Sequence, residues 1–383
     1  MKTTKIFWKN LILIITITSI IFSSNVALFK YQSKLSIQNT NSNIILEKTS
    51  KIKVSGSFCG IEVIGNIAYI CDHKYGLQIY DMQDKNNPKL LGKTNDEGIY
   101  HGFEIDIVNN LAYITCLEEG LVIFDISDNS NPTRIGDYNV GPQRASEVSL
   151  SLDKKLAFVA EFDKGLEIFN VSNPNKPVLV GSYSSEGGSF NVQFSNNKLF
   201  IETGGSKLIS LNVSNPQHPT KINQYSDGEQ IRYFYVENDI AYIATWNQGF
   251  KIVNMSDSHA TTLLGKYDGG QETVGVYKNG DLAYVGGFKS GLEIYNVTDL
   301  TKPILVKEYT EDGGVIAICA VDNVLYVEST GTTLRILTIQ NSSQSNLDTT
   351  KKNSSIDGFK FVSLVLISTL IYFRRKRKNE KNL

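Results

Sequence analysis

Short runs of alternating apolar and polar residues fill the middle of the chain, and clusters of Asn, Asp, Gly and Pro separate them. Within residues 103–139 the runs are Phe103–Ile107, Leu111–Cys116, Leu121–Ile126 and Thr133–Tyr138. Alternation with many β-branched and aromatic residues predicts strands, and the polar clusters predict turns. The pattern in this unit has no helical period. Each unit is therefore predicted to be a four-stranded antiparallel sheet.

A phrase of the type Gly-Leu-x-Ile-aromatic-Asp/Asn marks the third strand of a unit and returns at steps of 41 to 45 residues. It begins at seven anchor positions, which are Gly76, Gly120, Gly165, Ser206, Gly249, Gly291 and Thr333. A fixed period of this length indicates a repeat architecture, and four short strands per repeat are typical of a propeller blade. We therefore predict an all-β fold, a seven-bladed β-propeller with four antiparallel strands per blade.

The seventh unit contains three strands and stops before a fourth. A segment at the other end, Lys48–Gly56, precedes the first blade in the way that Val178–Tyr183 precedes the fourth blade. We expect this N-terminal strand to complete the last blade and to close the ring, because closure removes an exposed sheet edge. The propeller then takes residues 46–340 as one domain.

The third-strand phrase resembles the LVIVD repeat, most closely in Leu121–Asp125 and less faithfully in Leu166–Asn170. An Asn-Pro turn after this strand is part of the resemblance and occurs at Asn87-Pro88, Asn131-Pro132, Asn173-Pro174 and Asn215-Pro216. The fourth unit departs from the pattern, because Ser206–Asn212 lacks the anchor glycine. The resemblance implies a β-propeller that is extracellular or at the cell surface, and it implies no particular activity.

The two ends of the chain predict its location. Residues 1–27 combine lysines, an apolar run and small residues, as a signal peptide or an uncleaved signal anchor does. Polar residues 28–45 are predicted to be a disordered linker, and residues 341–357 a polar stalk. Residues 358–373 are apolar and precede a basic tail, 374–383, which predicts a C-terminal transmembrane anchor with a cytoplasmic tail. We expect a cell-surface, membrane-anchored protein with an extracellular propeller.

Charge and cysteine content exclude some classes of function. The formal net charge of −1 argues against a nucleic-acid partner. The four cysteines and four histidines have no metal-site spacing, so no cofactor is expected, and calcium held by acidic loops is an open alternative. Cys59 and Cys71 flank one hairpin turn, where a disulfide is the alternative to two buried thiols.

Asn-x-Ser/Thr sequons occur at the end of the third strand in several blades and again in the stalk. Two blades have Asp81 and Asp125 at the same place, so we expect the blade asparagines to accept hydrogen bonds within turns. The stalk sequons at Asn341 and Asn353 are predicted to be glycan acceptors.

Two sets of loops, from fourth strand to next first strand and from second strand to third, are expected to meet on one face of the ring. The candidate ligand-binding residues on these loops are Tyr75, Tyr100, His101, Glu118, Arg144, Glu161, Trp246, Glu272 and Phe288. Exposed aromatic and charged residues on a rigid scaffold favour a non-enzymatic protein- or glycan-binding module, for adhesion or scaffolding, in a monomeric propeller. Two alternatives stay open, a hydrolase or lyase with a His/Glu site at the channel mouth and a structural surface-layer spacer. No catalytic residue is assigned.

Overall fold

The computed structural model describes residues 44–53, 60–72, 76–94, 102–116, 119–138, 145–153, 155–185, 187–267, 272–310, 313–329 and 333–341. These residues form seven antiparallel sheets of four strands each, arranged as a ring, and they include no helix. The first strand of each sheet contacts the first strands of its two neighbours, and the first strand of the first blade contacts that of the last. The predicted seven-bladed β-propeller is confirmed.

Strands are numbered in chain order and each blade is listed from its inner strand outward. Blade 1 contains β2 Gly60–Ile64, β3 Ile67–Asp72, β4 Gly76–Asp81 and β5 Lys89–Lys93, and blade 2 contains β6 Gly102–Val108, β7 Leu111–Cys116, β8 Gly120–Asp125 and β9 Thr133–Tyr138. Blade 3 contains β10 Ala145–Leu150, β11 Leu156–Glu161, β12 Gly165–Asn170 and β13 Val178–Ser184, and blade 4 contains β14 Val192–Ser195, β15 Lys198–Thr203, β16 Lys207–Asn212 and β17 Thr220–Tyr225. Blade 5 contains β18 Ile231–Glu237, β19 Ile240–Thr245, β20 Gly249–Asn254 and β21 Thr262–Tyr267, and blade 6 contains β22 Thr273–Asn279, β23 Leu282–Gly287, β24 Gly291–Asn296 and β25 Ile304–Tyr309. Blade 7 contains β26 Val315–Val321, β27 Val324–Ser329, β28 Thr333–Asn341 and β1 Ile44–Lys53.

The last blade takes its outer strand from the N-terminal segment, as predicted. β1 pairs with β28, and the hydroxyls of Thr49 and Thr338 are hydrogen-bonded at 2.7 Å across that pair. Ile44 and Ile52 are buried, Ile44 among blade 6 and 7 residues and Ile52 among blade 7 and 1 residues. The strand begins at Ile44, so the last two residues of the predicted linker belong to the propeller.

The apolar third-strand phrase is explained by burial on both faces of each blade. In blade 2, Leu121 and Ile123 pack toward blade 3, whereas Val122 and Phe124 pack toward blade 1. A strand with two buried faces is apolar almost throughout, unlike a strand with one face in water. Among the described residues, the hydrophobic core therefore consists of seven clusters between adjacent blades.

The backbone conformation explains why glycine occupies the anchor positions. Gly76 and Gly120 have φ values of 67° and 77°, in the left-handed region that glycine adopts without strain. In blade 4 the pairing of Thr203 with Lys207 shows that the anchor position is Lys207, one residue after the predicted Ser206. Gly204 and Gly205 carry the positive φ there, which restores the turn that the missing anchor glycine would have made.

The predicted turn role of the sequon asparagines in the blades is confirmed. The side-chain Oδ1 atoms of Asn170, Asn254 and Asn296 each accept a hydrogen bond of 2.9 Å from the backbone N–H two residues later. Asp81 and Asp125 accept the equivalent bond at 2.8 Å. These side chains close the turn that leads to the fourth strand.

Adjacent blades meet closely where this turn faces the fourth strand of the preceding blade. A Cβ on Gly181 would lie 1.9 Å from the carbonyl oxygen of Pro216, and a Cβ on Gly136 would lie 2.0 Å from that of Pro174. A Cβ on Gly92 or on Gly265 would likewise lie within 2.4 Å of a backbone carbonyl oxygen in the turn of the next blade. The equivalent residue of blade 4, Asn223, donates hydrogen bonds to two carbonyl groups of the next turn.

None of the described residues lies in a helix that is long and apolar enough to cross a membrane. The predicted signal peptide, transmembrane anchor and basic tail lie outside the described residues, as does Cys59.

Candidate functional site

Two sets of loops interlock on one face of the ring, which we call the loop face. The connection between the second and third strands of one blade meets the connection that enters the next blade. The N–H of Ser189 donates to the carbonyl oxygen of Glu161 at 2.8 Å, and that of Ile231 donates to Gly205 at 2.8 Å. The N–H of Glu272 donates to Trp246 at 2.6 Å. These backbone bonds hold the loops of adjacent blades at fixed positions.

A cavity of about 430 Å³ runs from the loop face into the central channel. Inner strands of six blades line it, together with Asn191, which directly precedes the inner strand of blade 4, and the loop residues Phe162, Phe190, Gly205, Gln230 and Phe288. This volume is in the range of small-molecule binding sites, about 300 to 1,000 Å³. The cavity is therefore large enough to hold a ligand group.

One position of the inner strand contributes a lining residue from every blade, and we call these seven residues the channel layer. They are Gly60, Glu104, Glu147, Asn191, Tyr233, Gly275 and Ala317. Blades 2 to 5 contribute long polar side chains, whereas blades 6, 7 and 1 contribute glycine or alanine. The cavity consequently has a polar wall and, opposite it, a wall of backbone and small side chains.

Glu147 is held by groups from two other blades. Its Oε2 accepts a hydrogen bond of 2.8 Å from the N–H of Val192, and its Oε1 accepts one of 3.1 Å from the Tyr233 hydroxyl. Burial raises the pKa of Glu147 to about 7, although these hydrogen bonds favour the charged form.

Glu104 lies near Glu147 in the same layer. Burial first and the charge of Glu147 second raise the pKa of Glu104 to about 8. Both side chains keep some accessible surface because they face the channel, but they lie deep inside the ring, where few water molecules surround a charge. The pair therefore binds protons near neutral pH, which ordinary glutamates do not.

A second layer of polar residues, two positions further along the inner strands, has a structural role. Each of these side chains accepts a hydrogen bond from a backbone N–H of the next inner strand. The bonds are Ile107 N–H to Glu62 at 2.6 Å, Leu150 N–H to Asp106 at 3.0 Å, Phe194 N–H to Ser149 at 3.0 Å and Val236 N–H to Gln193 at 2.7 Å. They satisfy backbone donors on the free edges of the inner strands of blades 2 to 5, which a sheet would otherwise leave unpaired.

Comparison with known proteins agrees with this geometry. The family model described as the LVIVD repeat matches residues 49–96, 103–140, 144–185, 235–269 and 272–311, which together make up more than half of the chain. The chain belongs to the LVIVD-repeat family.

Solved structures share the fold of this LVIVD-repeat protein at very low sequence identity. A chain of a crystal structure of the Mitotic Checkpoint Complex is 8% identical with a TM-score of 0.64, and the match covers 77% of this chain and 92% of that one. The computationally designed Ika8 protein is 9% identical with a TM-score of 0.58, and the match covers 76% of this chain and 99% of that one. Curated proteins give no match. These likenesses describe the fold alone.

Aromatic side chains of blades 3 to 6 lie at the mouth of the LVIVD-repeat cavity. Phe162 and Phe190 pack edge to face with their centroids 4.4 Å apart, and Phe190 is 43% exposed. Trp246 and Phe288 pack at 5.8 Å, and the guanidinium of Arg232 lies 5.0 Å from the centroid of the Trp246 ring. This mouth offers partly exposed aromatic surface beside a fixed cation.

Three of the predicted ligand-binding residues come together at this mouth. Trp246 and Phe288 are in ring contact, and Glu272 is joined to both by backbone hydrogen bonds. The Glu272 carboxylate also pairs with Lys289 at 2.6 Å.

Glu161 is the fully buried last residue of β11, whereas the sequence suggested an exposed loop residue. The loop entering blade 4 covers it. Asn341 ends β28, and its side chain is outside the described part. The predicted residues that lie outside the described residues altogether are Tyr75, Tyr100, His101, Glu118, Arg144 and Asn353.

Sequence reasoning missed the polar wall of the channel layer, Glu104, Glu147, Asn191 and Tyr233. The signal was available, because three other blades have glycine or alanine at this inner-strand position. Among the described residues, no group of three or more His, Cys, Asp or Glu side chains is placed to hold a metal ion.

Proposed function

We propose that this LVIVD-repeat propeller is a non-enzymatic binding module that recognises a protein or a glycan through the loop face. The observation that carries the proposal is the open cavity in that face, with exposed Phe190 and the Trp246–Phe288 pair at its mouth. Aromatic side chains around a preformed cavity are the usual anchors of recognition, because they bury a large area with little loss of entropy.

The proposed location is the cell surface. It rests on the leader-like residues 1–27 and on the apolar segment 358–373 with its basic tail. A polar stalk between the propeller and this anchor would leave the loop face free to meet a partner. An adhesion or scaffold role on the outside of the cell fits this arrangement.

The binding face is tested with the full chain, using attachment to cells of the source organism and to a glycan array. We expect Phe190→Ala to reduce attachment at least about tenfold, with an unchanged melting temperature, since the ring of Phe190 is partly exposed. Leu152→Ala is the matched control, because Leu152 is 70% exposed on the turn between β10 and β11, on the opposite face. Equal attachment by both variants would contradict the proposal.

A further inference from the structure

The polar wall of the cavity is rich in hydrogen-bond acceptors. Glu104 and Glu147 supply carboxylate oxygens, and the amide nitrogen of Asn191 donates toward Glu147. That orientation leaves the Asn191 Oδ1 atom buried without a hydrogen-bond partner among the described residues. A buried acceptor without a donor is unfavourable. The polar wall thus matches a ligand group that only donates.

The charge of this wall is also uncompensated. The groups that face the two carboxyls from the packed strands are Asp106 on β6, Tyr233 on β18, Asn191 before β14 and Cys319 on β26, and none of them is a cation. Among the described lining residues, Arg232 is the cation. Its guanidinium lies over the Trp246 ring and interacts electrostatically with the Glu202 carboxyl. Two nearby carboxyls in a site of low dielectric favour a positive ligand.

The opposite wall suits an alkyl chain. Gly60, Gly275 and Ala317 present backbone and a single methyl group there, and Val274 and Ile316 add apolar surface. A straight alkyl stem can lie along this wall while its charged end reaches the carboxyls. An ammonium group has three N–H donors and no acceptor, which fits the three acceptors of the polar wall.

From the proposed function of the loop face, we infer that the cavity receives a lysine side chain of a partner protein, with the ammonium group held by Glu104, Glu147 and Asn191. The partner surface around that lysine would rest on the aromatic mouth. A metal ion fits less well, because among the described residues no group of three or more His, Cys, Asp or Glu side chains is placed to hold one.

Proton linkage follows from the same arrangement. Burial of both carboxyls, and for Glu104 also the charge of Glu147, hold extra protons on the pair near neutral pH, and the bound ammonium group must displace them. Lysine stays protonated throughout this range, with an ordinary pKa of about 10.4. Affinity should therefore rise between pH 6 and pH 8, and binding at pH 7 should release protons.

The test is calorimetric titration of the full chain with Nα-acetyl-lysine amide. Nα-acetyl-norleucine amide, which has the same alkyl stem without the amine, is the matched control ligand. We expect binding of the lysine compound at least about tenfold tighter than that of the norleucine compound, or about 1.4 kcal/mol. The affinity should rise from pH 6 to pH 8, with proton release detected by comparing buffers of different ionisation enthalpy.

Two variants locate the site. Glu104→Gln should lower the affinity about tenfold and flatten its pH dependence, while Glu293→Gln should leave both unchanged. Glu293 is a matched control because it is buried in blade 6, bonded to Tyr295 and not among the lining residues. Should Glu104→Gln fail to fold, the pH dependence of the wild-type affinity and the proton release on binding still test the inference.

Equal binding of the lysine and norleucine compounds would overturn the inference, as would an affinity that does not rise with pH. A glucosamine dimer that binds where the lysine compound does not would also overturn it, in favour of an amino sugar. Absence of lysine binding together with loss of cell attachment in Phe190→Ala would remove only the lysine assignment and leave the binding face intact.

Discussion

At the scale of single residues, burial in this propeller depends on the neighbouring blade. Glu161 occupies a position that the other blades fill with residues as different as Asp72, Cys116 and Thr245, so no type of residue marks it as buried. Its burial comes from the loop that enters blade 4, whose Ser189 binds the Glu161 backbone. Sequence reasoning placed Glu161 on an exposed loop because such contacts between loops leave no pattern along the chain.

The buried carboxyl of Glu161 should make stability depend on pH. Burial first, and the nearby Glu167 second, raise the pKa of Glu161 to about 8 from an ordinary value of 4.5. Between these values the folded state keeps a proton that the unfolded state has lost, so the free energy of unfolding falls as pH rises. Raised pKa values of Glu104, Glu147 and Glu202 act in the same direction.

We expect chemical denaturation to show a lower free energy of unfolding at pH 8 than at pH 5. Glu161→Gln should reduce this difference by about 1 kcal/mol or more, since each pKa unit corresponds to about 1.4 kcal/mol. Glu308→Gln, at an exposed position of β25, is the control and should retain the wild-type profile. A stability that rises from pH 5 to pH 8 would contradict this account.

At the scale of elements, the sequence was sufficient to predict the strands but not how they pack. Alternation and turn residues located the four strands of blade 2 to within about one residue, because local geometry dictates that pattern. The glycine of the fourth strand also recurs in the sequence, yet only the three-dimensional contact explains it. Blade 6 has Lys307 at this position instead of glycine. No turn joins the third and fourth strands of blade 7, because β28 and β1 lie at opposite ends of the propeller chain, so Lys307 has no such turn to contact.

A methyl group at a fourth-strand glycine should therefore separate two blades. Gly181→Ala would place a Cβ 1.9 Å from the carbonyl oxygen of Pro216, and we expect it to lower the free energy of unfolding by about 1–3 kcal/mol. Lys307→Ala, at the equivalent position of blade 6, should change it by less than about 0.5 kcal/mol. Thermal or urea unfolding of both variants measures the difference, and equal effects would show that the close contact is unimportant.

At the scale of the whole molecule, the period and the incomplete seventh unit were enough to predict a closed ring. The channel was harder to foresee, because its polar wall is assembled from four blades that are distant in sequence. Glu147 is bonded to Tyr233, 86 residues further along the chain, across the channel layer. The central claim is that β1 closes the ring by completing blade 7.

Removal of β1 tests that claim most directly. Without residues 44–53, β28 becomes an open edge, and Ile44 and Ile52 no longer fill the clusters on the two sides of blade 7. The measurement is the melting temperature of the full chain with and without this segment, followed by light scattering to detect aggregation. The account predicts early melting with aggregation, and an unchanged melting temperature would contradict it.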